Sequence, residues 1–282
     1  MIQFGTSMLA WIPQWTDEAG AYAIRKTAEC GFDLLEISLP AELDINPELI
    51  RRQLAHYGLA ARFSLLLPAG YHLPACPEGG LAYLKRAIER VHQAEGRFLG
   101  GVFYGAIGVF SGRLRTAEEI DCITSILTDA TAYAAARDIT LALEPVNRYE
   151  TYLLTSAAET LDVIERIQSP ALTLMLDTFH MNIEEADFYA PIKAAGRHLQ
   201  YLHIAGSDRG KPGDDHIPWD ACFRGLKDIG FDGDLVLESF SSQVEGLGEK
   251  TALWRRSSYA PDELARGSLQ FMQEKAKQWG LY

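Results

Sequence analysis

The sequence alternates short apolar runs with longer amphipathic segments, and this alternation limits the possible fold more than any other feature. Short apolar runs bounded by polar residues are typical of strands that are buried on both faces. The sequence has eight such runs, at Gln3–Thr6, Leu34–Ser38, Ala61–Leu66, Phe98–Phe103, Thr140–Glu144, Leu172–Asp177, Tyr201–His203 and Leu235–Glu238. The amphipathic segments predict helices near residues 17–30, 46–57, 79–95, 117–137, 155–168, 186–196, 218–228 and 262–278.

Glycines occur at equivalent positions in this pattern. Gly31, Gly58 and Gly230 each stand just before a predicted strand, where a helix that ends in the left-handed conformation favours glycine. Dividing 282 residues among eight units gives about 35 residues per unit, enough for one strand, one helix and their loops. No linker-like tract divides the chain. The pattern therefore predicts an α/β fold, a (β/α)8 or TIM barrel, formed as a single domain by residues 1–282.

The composition excludes several classes of protein. With 26 basic and 38 acidic residues the net charge is −12, and an acidic surface repels phosphate backbones and anionic membranes. We therefore expect no nucleic-acid partner and no membrane contact. The four cysteines are scattered and form no CxxC pair, which excludes a disulfide framework and a thiolate zinc site. Because the sequence also lacks a signal-peptide pattern, the expected location is the cytoplasm.

A side chain that can bind a metal ends each of the last four predicted strands. These side chains are Glu144, Asp177, His203 and Glu238, and each follows an apolar run directly. In a TIM barrel the carboxyl ends of the strands form the active-site face, so the four side chains can converge near the axis. Three carboxylates and one imidazole suit a divalent cation such as Mn²⁺, Mg²⁺ or Co²⁺. The sequence therefore predicts a metal site.

A single acid at a strand end has a simpler explanation, because such residues often cap a helix or lie in a solvated loop. Only the repetition at four equivalent positions favours metal binding. The motifs of other chemistries are absent from the sequence, including GxxxxGK[ST], GxGxxG, HExxH and GxSxG. Nucleotide hydrolysis, dinucleotide redox chemistry, zinc-dependent proteolysis and serine-hydrolase chemistry therefore have no support.

Other residues near the strand ends are candidates for substrate binding. They are Glu150, His180, Arg209, Glu36, Trp15 and Phe240. The first three lie in loops around the predicted metal and could exchange hydrogen bonds with a polyhydroxylated molecule. The carboxylate at position 36 belongs to the second predicted strand. The two aromatic residues follow the first and last strands, where they either pack in the core or form an apolar wall against a sugar.

Several segments resemble the D-tagatose 3-epimerase family, which includes D-psicose (allulose) and L-ribulose 3-epimerases within the xylose-isomerase-like barrels. The main ones are Glu144-Pro-Val-Asn-Arg-Tyr-Glu150, Leu176-Asp-Thr-Phe-His-Met-Asn-Ile-Glu-Glu185, His203-Ile-Ala-Gly-Ser-Asp-Arg209 and Leu237-Glu-Ser-Phe240. The resemblance extends over essentially the whole chain, with Phe32-Asp-Leu-Leu-Glu-Ile-Ser-Leu39 near the start and Pro218-Trp219 near the end.

This resemblance implies an activity and a set of roles. The four strand-end residues correspond to the metal ligands, for Mn²⁺ first and Mg²⁺ or Co²⁺ as alternatives, and Glu144 and Glu238 also match the acid/base pair. Glu150, His180 and Arg209 match the residues that hold the oxygens at C1 to C3 of a ketose. The implied enzyme is a metal-dependent ketose 3-epimerase that inverts C3 of a free ketose through an enediolate. Relatives of this kind are commonly homodimers or homotetramers.

The sequence also departs from the family pattern, which leaves alternatives open. Ser7 stands where many relatives have an aromatic residue, the loop at 103–110 lacks an expected tryptophan, and Ala205-Gly-Ser-Asp208 replaces Gly-Glu-Ala-Asn. Another sugar isomerase, a keto-polyol dehydratase on the same scaffold, or a non-catalytic sugar-binding barrel therefore remains open. The irregular segment Ser241–Pro261 is expected either to fold over the barrel mouth or to form a surface loop or subunit contact.

Overall fold

Eight parallel strands form a closed barrel in the computed structural model, which describes residues 2–281. The strands are β1 (Gln3–Ser7), β2 (Leu34–Ser38), β3 (Ala60–Leu66), β4 (Phe98–Val102), β5 (Thr140–Leu143), β6 (Leu172–Asp177), β7 (Leu199–Ile204) and β8 (Asp234–Leu237). Each strand pairs with the next in chain order, and β8 closes the ring on β1. The TIM barrel predicted from the alternation is confirmed.

Helices surround the barrel and connect its strands. They are α1 (Asp17–Cys30), α2 (Pro47–Tyr57), α3 (Pro77–Gln93), α4 (Ala117–Ala135), α5 (Ala157–Ile167), α6 (Thr178–Glu184), α7 (Ala190–Ala195), α8 (Trp219–Asp228), α9 (Leu247–Lys250) and α10 (Pro261–Trp279). The sequence predicts all of these except α6 and α9, with bounds that differ by a few residues. None of the helices within residues 2–281 is both long enough and apolar enough to span a bilayer.

The helix ends follow local sequence signals. Gly31 and Gly58 end α1 and α2 with φ angles of +89° and +68°, as expected for glycine in the left-handed conformation. At the start of α4, the Thr116 side chain accepts from the Glu119 N–H, and the Glu119 carboxylate accepts from the Thr116 N–H. These signals fix where each unit begins and ends, and thereby which residues reach the ends of the strands.

The barrel interior below its mouth is filled by apolar side chains. The cluster consists of Leu34, Phe98, Ala142, Met175, Tyr201 and Val236. It is packed so closely that a Cβ on Gly5 would lie 2.2 Å from Cδ1 of Leu34, and a Cβ on Gly100 would lie 2.6 Å from Sδ of Met175. Since the lower barrel is filled in this way, the polar side chains of the barrel lie mainly at the carboxyl ends of the strands.

Residues 241–261, which we call the strap, are anchored beside the loop that follows β1. Phe240, Val244 and Leu247 form a small buried cluster against which Leu9 packs. The strap is tied to itself where Ser242 and Ser257 exchange two hydrogen bonds of 2.8 Å. It therefore has an ordered hydrogen-bonded core at the barrel mouth, and its sequence contributes α9.

Candidate active site

Four side chains from consecutive strands meet at the carboxyl end of the barrel. Glu144 follows β5, Asp177 ends β6, His203 lies in β7 and Glu238 follows β8. Each offers one ligand atom, and these atoms all lie within 4.8 Å of one another. Register brings them together, because Asp177 and His203 are paired across β6 and β7. The convergence expected from the sequence is present, and metal binding by these residues stays a prediction.

The donor set fits a divalent cation. Nδ1 of His203 lies 3.2 Å from Oε1 of Glu144 and 3.4 Å from Oε2 of Glu238, so one nitrogen and carboxylate oxygens face the same small space. Burial raises the pKa of Glu144, and it raises the pKa of Glu238 to about 8, with nearby carboxylates adding to the effect. Crowded buried carboxylates of this kind favour a bound cation, and an oxygen-rich set with one imidazole suits Mn²⁺, Mg²⁺ or Co²⁺.

The two carboxylate oxygens of Asp177 have different roles, one in capping a helix and one in the candidate metal site. Its Oδ1 accepts the Phe179 N–H at 2.8 Å and so caps α6, while its Oδ2 contacts the guanidinium of Arg209. Burial opposes ionisation of Asp177, but the Arg209 guanidinium holds its pKa below the usual value. A single side chain thus ends a strand, begins a helix and contributes an oxygen to the candidate metal site.

The side chain of Arg209 is held in place by its backbone and by two aromatic rings. Arg209 has a φ of +63°, in the left-handed region that non-glycine residues rarely adopt. Its carbonyl accepts the Phe240 N–H at 2.8 Å. The guanidinium lies 4.3 Å from the ring centre of Phe179 and 5.3 Å from that of Phe240. Phe240 therefore supports Arg209 at this site, while a contact between Phe240 and a sugar stays a prediction.

His180 and Glu150 are connected through Asn147, which the sequence analysis did not select. The Asn147 N–H donates to Nδ1 of His180 at 3.2 Å, and its side-chain amide donates to Oε1 of Glu150 at 2.9 Å. Burial lowers the pKa of His180 to about 3, so its ring is neutral. Its Nε2 lies within hydrogen-bond distance, 3.2 Å, of Nη2 of Arg209, so the imidazole and the guanidinium are adjacent in the site.

The position of Asn147 in the chain is the signal that could have identified it. It stands three residues after Glu144 and three before Glu150 in one short loop. A side-chain amide at this position can hydrogen-bond both within its own loop, to Glu150, and to His180 in α6 after the next strand. Burial raises the pKa of Glu150, and Arg209 and Asn147 oppose that rise.

The other two predicted contact residues are surrounded by protein groups. Glu36 is 1% exposed, and its Oε2 lies 2.8 Å from Nε2 of His203 and 2.5 Å from the Tyr201 hydroxyl. Trp15 is also buried, and its ring packs closely over Gly20 of α1. The structure brings Glu36 to the candidate metal site through His203, and direct contact of either residue with a sugar stays a prediction.

Comparisons with known proteins agree with this architecture. Residues 24–275 match the model of the xylose isomerase-like TIM barrel family. An L-ribulose 3-epimerase from a Methylomonas species is 32% identical over 97% of this chain and 98% of its own length. A ketose 3-epimerase from Arthrobacter globiformis is also 32% identical, over 97% of this chain and 96% of its own. The crystal structure of a Methylomonas D-allulose 3-epimerase in complex with D-allulose superposes with a TM-score of 0.91, at 32% identity and with 97% of each chain covered.

Proposed function

The chain belongs to the xylose isomerase-like TIM barrel family, together with the ketose 3-epimerases that it resembles over nearly their full length, and we propose that it is itself a metal-dependent ketose 3-epimerase. The substrate would be a free ketose whose configuration is inverted at C3. One observation carries the proposal: Nδ1 of His203 lies between the carboxylates of Glu144 and Glu238, which extend from separate strands into one buried site. Two carboxylates around one ligand are what an inversion by proton transfer requires.

Glu144, Asp177, His203 and Glu238 would hold the metal, with Mn²⁺ as our first expectation and Mg²⁺ or Co²⁺ as alternatives. When bound, such a cation supplies a Lewis acid that polarises the ketose carbonyl and stabilises the negative charge of an enediolate. The ligand geometry supports this proposal because the four donor atoms lie within 4.8 Å of one another. The family relationship supports it as well, since the resemblance implies these same four residues as ligands.

Glu144 and Glu238 would move the proton. The proton on C3 lies beside the C2 carbonyl, so removing it gives an enediolate that can be protonated again on the opposite face. One glutamate would accept the proton from C3 on its own face, and the other would donate a proton from the other face. Burial raises the pKa of both side chains, to about 8 for Glu238, which supports a role in which one of the pair holds a proton near neutral pH.

Arg209, His180 and Glu150 would orient the sugar. The neutral imidazole of His180 lies beside the Arg209 guanidinium, and these two adjacent groups suit the oxygens at C1 and C2, where charge grows during proton removal. The Glu150 carboxylate would accept a hydroxyl hydrogen at the other side of the ketose. Asn147 would keep the imidazole and this carboxylate in place, because it bonds to both.

Location and assembly complete the proposal. A cytoplasmic location is supported by the four cysteines, none of which is paired. A homodimer or homotetramer is supported by large apolar side chains exposed on the loops after β4 and β5, namely Phe110, Leu114 and Tyr149. A hydrogen bond of 2.9 Å from the Gly108 N–H to the Glu150 carbonyl joins these two loops. Light scattering on the purified protein measures the state directly.

Product analysis tests the proposed reaction and separates it from the alternatives. The metal is removed, Mn²⁺ is added back, and free five-carbon and six-carbon ketoses are incubated with the protein. We expect the C3 epimer of at least one ketose. An aldose product would indicate an isomerase, loss of water would indicate a dehydratase, and binding without any product would indicate a sugar-binding barrel.

Proton exchange tests the roles of the two glutamates. In deuterated water, the protein should introduce deuterium at C3 of its ketose, and Glu238→Gln should abolish this exchange. The matched control is Glu245→Gln, because Glu245 is an exposed residue of the strap. Near-normal exchange by Glu238→Gln would refute the assigned role.

A further inference from the structure

We propose that Glu36 is a positioning residue for the metal site, which holds the imidazole of His203 in one orientation with Nδ1 free for the cation, and that Tyr201 in turn holds Glu36. The inference rests on the metal site of the proposed function but not on the identity of the sugar. It assigns a role to a buried carboxylate on β2, a strand that supplies none of the four candidate ligands.

The two ring nitrogens of His203 face different partners. Nε2 lies 2.8 Å from Oε2 of Glu36, whereas Nδ1 faces Glu144 at 3.2 Å and Glu238 at 3.4 Å. A carboxylate only accepts hydrogen bonds, so Nε2 must carry a hydrogen and donate it. In the neutral ring that a cation would bind, the lone pair is then on Nδ1, which is the nitrogen that faces the candidate ligands. Carboxylates that fix histidine ligands in this way are a general feature of metal sites.

Glu36 lies on the far side of the imidazole from the other carboxylates. The two nitrogens of an imidazole ring point away from each other, so a group bonded to Nε2 does not share an ion with Nδ1. With 1% exposure and two donors on one oxygen, the Glu36 side chain has its main contacts within the protein. These contacts favour an action through His203 over direct binding of a metal or sugar.

Tyr201, which holds Glu36, is packed in the barrel interior. Tyr201 precedes His203 by two residues, so both side chains leave β7 on the same face, and the Tyr201 hydroxyl donates to the same Oε2 at 2.5 Å. The Tyr201 ring stacks on Phe98 at 4.9 Å with an interplanar angle of 19°. Two donors from one strand, β7, thus hold Glu36 across the barrel.

Glu36→Gln tests the proposal, because glutamine keeps the size of the side chain but removes the carboxylate. Its amide can donate to Nε2, which would move the ring hydrogen to Nδ1 and block that ligand. We expect Mn²⁺ affinity, measured by calorimetry, to fall about 10–100-fold. Tyr201→Phe should lower the affinity less, since the bond between Glu36 and His203 remains. Glu42→Gln, at an exposed position in the loop after β2, is the control and should bind as the wild type does.

A second measurement does not depend on metal binding. In nitrogen-15-labelled metal-free protein, the Nε2–H of His203 should give a downfield, slowly exchanging proton signal, assigned by its loss in His203→Asn. Glu36→Gln should remove or strongly shift this signal, while Glu42→Gln should leave it in place. A merely structural role of Glu36 would lower thermal stability without a selective change in this signal.

The outcomes separate the two proposals. Mn²⁺ affinity of Glu36→Gln within twofold of the wild type, or an unchanged Nε2–H signal, overturns the positioning role. Failure of the wild type to bind any of Mn²⁺, Mg²⁺ and Co²⁺ refutes the metal site of the proposed function, and the proton signal then decides whether Glu36 holds the ring. If Glu36→Gln does not fold, Glu36→Asp, which keeps the charge but draws the carboxylate away from Nε2 of His203, carries the same two measurements, and wild-type values for both would again overturn the role.

Discussion

Nη1 of Arg209 lies 2.7 Å from Oε2 of Glu238 and also contacts Oδ2 of Asp177, so one guanidinium joins two of the candidate metal ligands. Its flat face lies against Phe179 and Phe240. Only a planar cation can bond sideways to carboxylates while its faces contact aromatic rings. The arrangement therefore demands arginine at this position, and not simply a positive charge.

Arg209→Lys should lower kcat/KM for the ketose on the order of 10²-fold, although the charge is kept. Lysine is a point charge that cannot both stack and bond to the two carboxylates. Steady-state kinetics with the best ketose measures the effect. Arg52→Lys, on the exposed face of α2, is the control and should retain wild-type kinetics. Wild-type kcat/KM for Arg209→Lys would contradict the importance of the planar group.

Mn²⁺ should stabilise the protein, and Asp177→Asn should abolish most of that effect. A ligand that binds only the folded state stabilises it by about 2.7 kcal/mol when its concentration is 100 times the Kd. Asparagine can still cap α6, because its side-chain oxygen accepts a backbone N–H as the carboxylate of Asp177 does. The substitution removes the negative charge that would bind the cation. Thermal unfolding with added Mn²⁺ or with EDTA measures the shift in Tm.

The matched control for this experiment is Asp187→Asn. Asp187 also accepts backbone N–H groups through its Oδ1, from Tyr189 and Ala190 at the start of α7, and it is exposed. It should keep the full response to Mn²⁺. An equal Mn²⁺ shift in Asp177→Asn and the wild type would contradict the assignment of Asp177 as a ligand.

His72 should make the protein less stable in weak acid. It is buried, its Nδ1 accepts the Ala106 N–H at 3.0 Å, and burial lowers its pKa below the ordinary 6.5. The unfolded chain therefore binds a proton on this residue at a higher pH than the folded chain does. The contribution of the neutral His72 to the free energy of unfolding is fully present above about pH 6.5. It is lost as the pH falls through the pKa of His72 in the folded protein.

Urea unfolding at pH 7, 6 and 5 tests this expectation. His72→Gln, whose side chain can still accept the Ala106 N–H, should show a weaker loss of unfolding free energy with falling pH than the wild type. His56→Gln, at an exposed position, should keep the wild-type dependence. The same dependence in His72→Gln as in the wild type would show that this imidazole is not the cause.

An ion pair at the opposite end of the barrel should affect stability and not activity. Nε of Arg62 lies 2.5 Å from Oδ2 of Asp234, and its Nη2 lies 3.2 Å from Oδ1, so the pair is bidentate and largely buried. Asp234→Ala leaves an unpaired buried guanidinium and should lower the free energy of unfolding by about 3 kcal/mol. The kcat of the folded variant should be unchanged, because the pair lies at the amino ends of the strands.

Denaturant unfolding and steady-state kinetics measure these two quantities separately. The control is Asp138→Asn, which removes the charge of the exposed pair with Arg97 and should cost less than about 1 kcal/mol. A large loss of kcat in Asp234→Ala at a temperature where the variant is folded would contradict the separation of stability from function.

The fold and the convergence of the four strand ends could be predicted because both depend on local pattern. An apolar run that ends in Glu144 or Glu238 predicts a strand and its carboxyl end. In a TIM barrel the carboxyl ends of all strands meet at one face, so the side chains there converge. The helix α6 was missed because Asp177 ends a strand and caps a helix at once, with no loop between them to mark the change.

The contacts of Glu36 and Trp15 could not be predicted in the same way. Glu36 bonds to His203, which is 167 residues away in sequence and across the barrel. The direction of the Trp15 ring depends on the space that Gly20 leaves on α1. Such contacts depend on register and on the volume of distant side chains, which no local pattern contains.

The apolar side chains that fill the barrel beneath Tyr201 give the candidate site a closed floor. A sugar would then enter and leave through the same opening, and two sugars could not pass each other inside. For the proposed reversible reaction, substrate and product would compete for one place, so accumulated product would slow the enzyme before equilibrium is reached. The final ratio of the two sugars would be set by their own free energies, and the barrel would determine only how fast that ratio is approached.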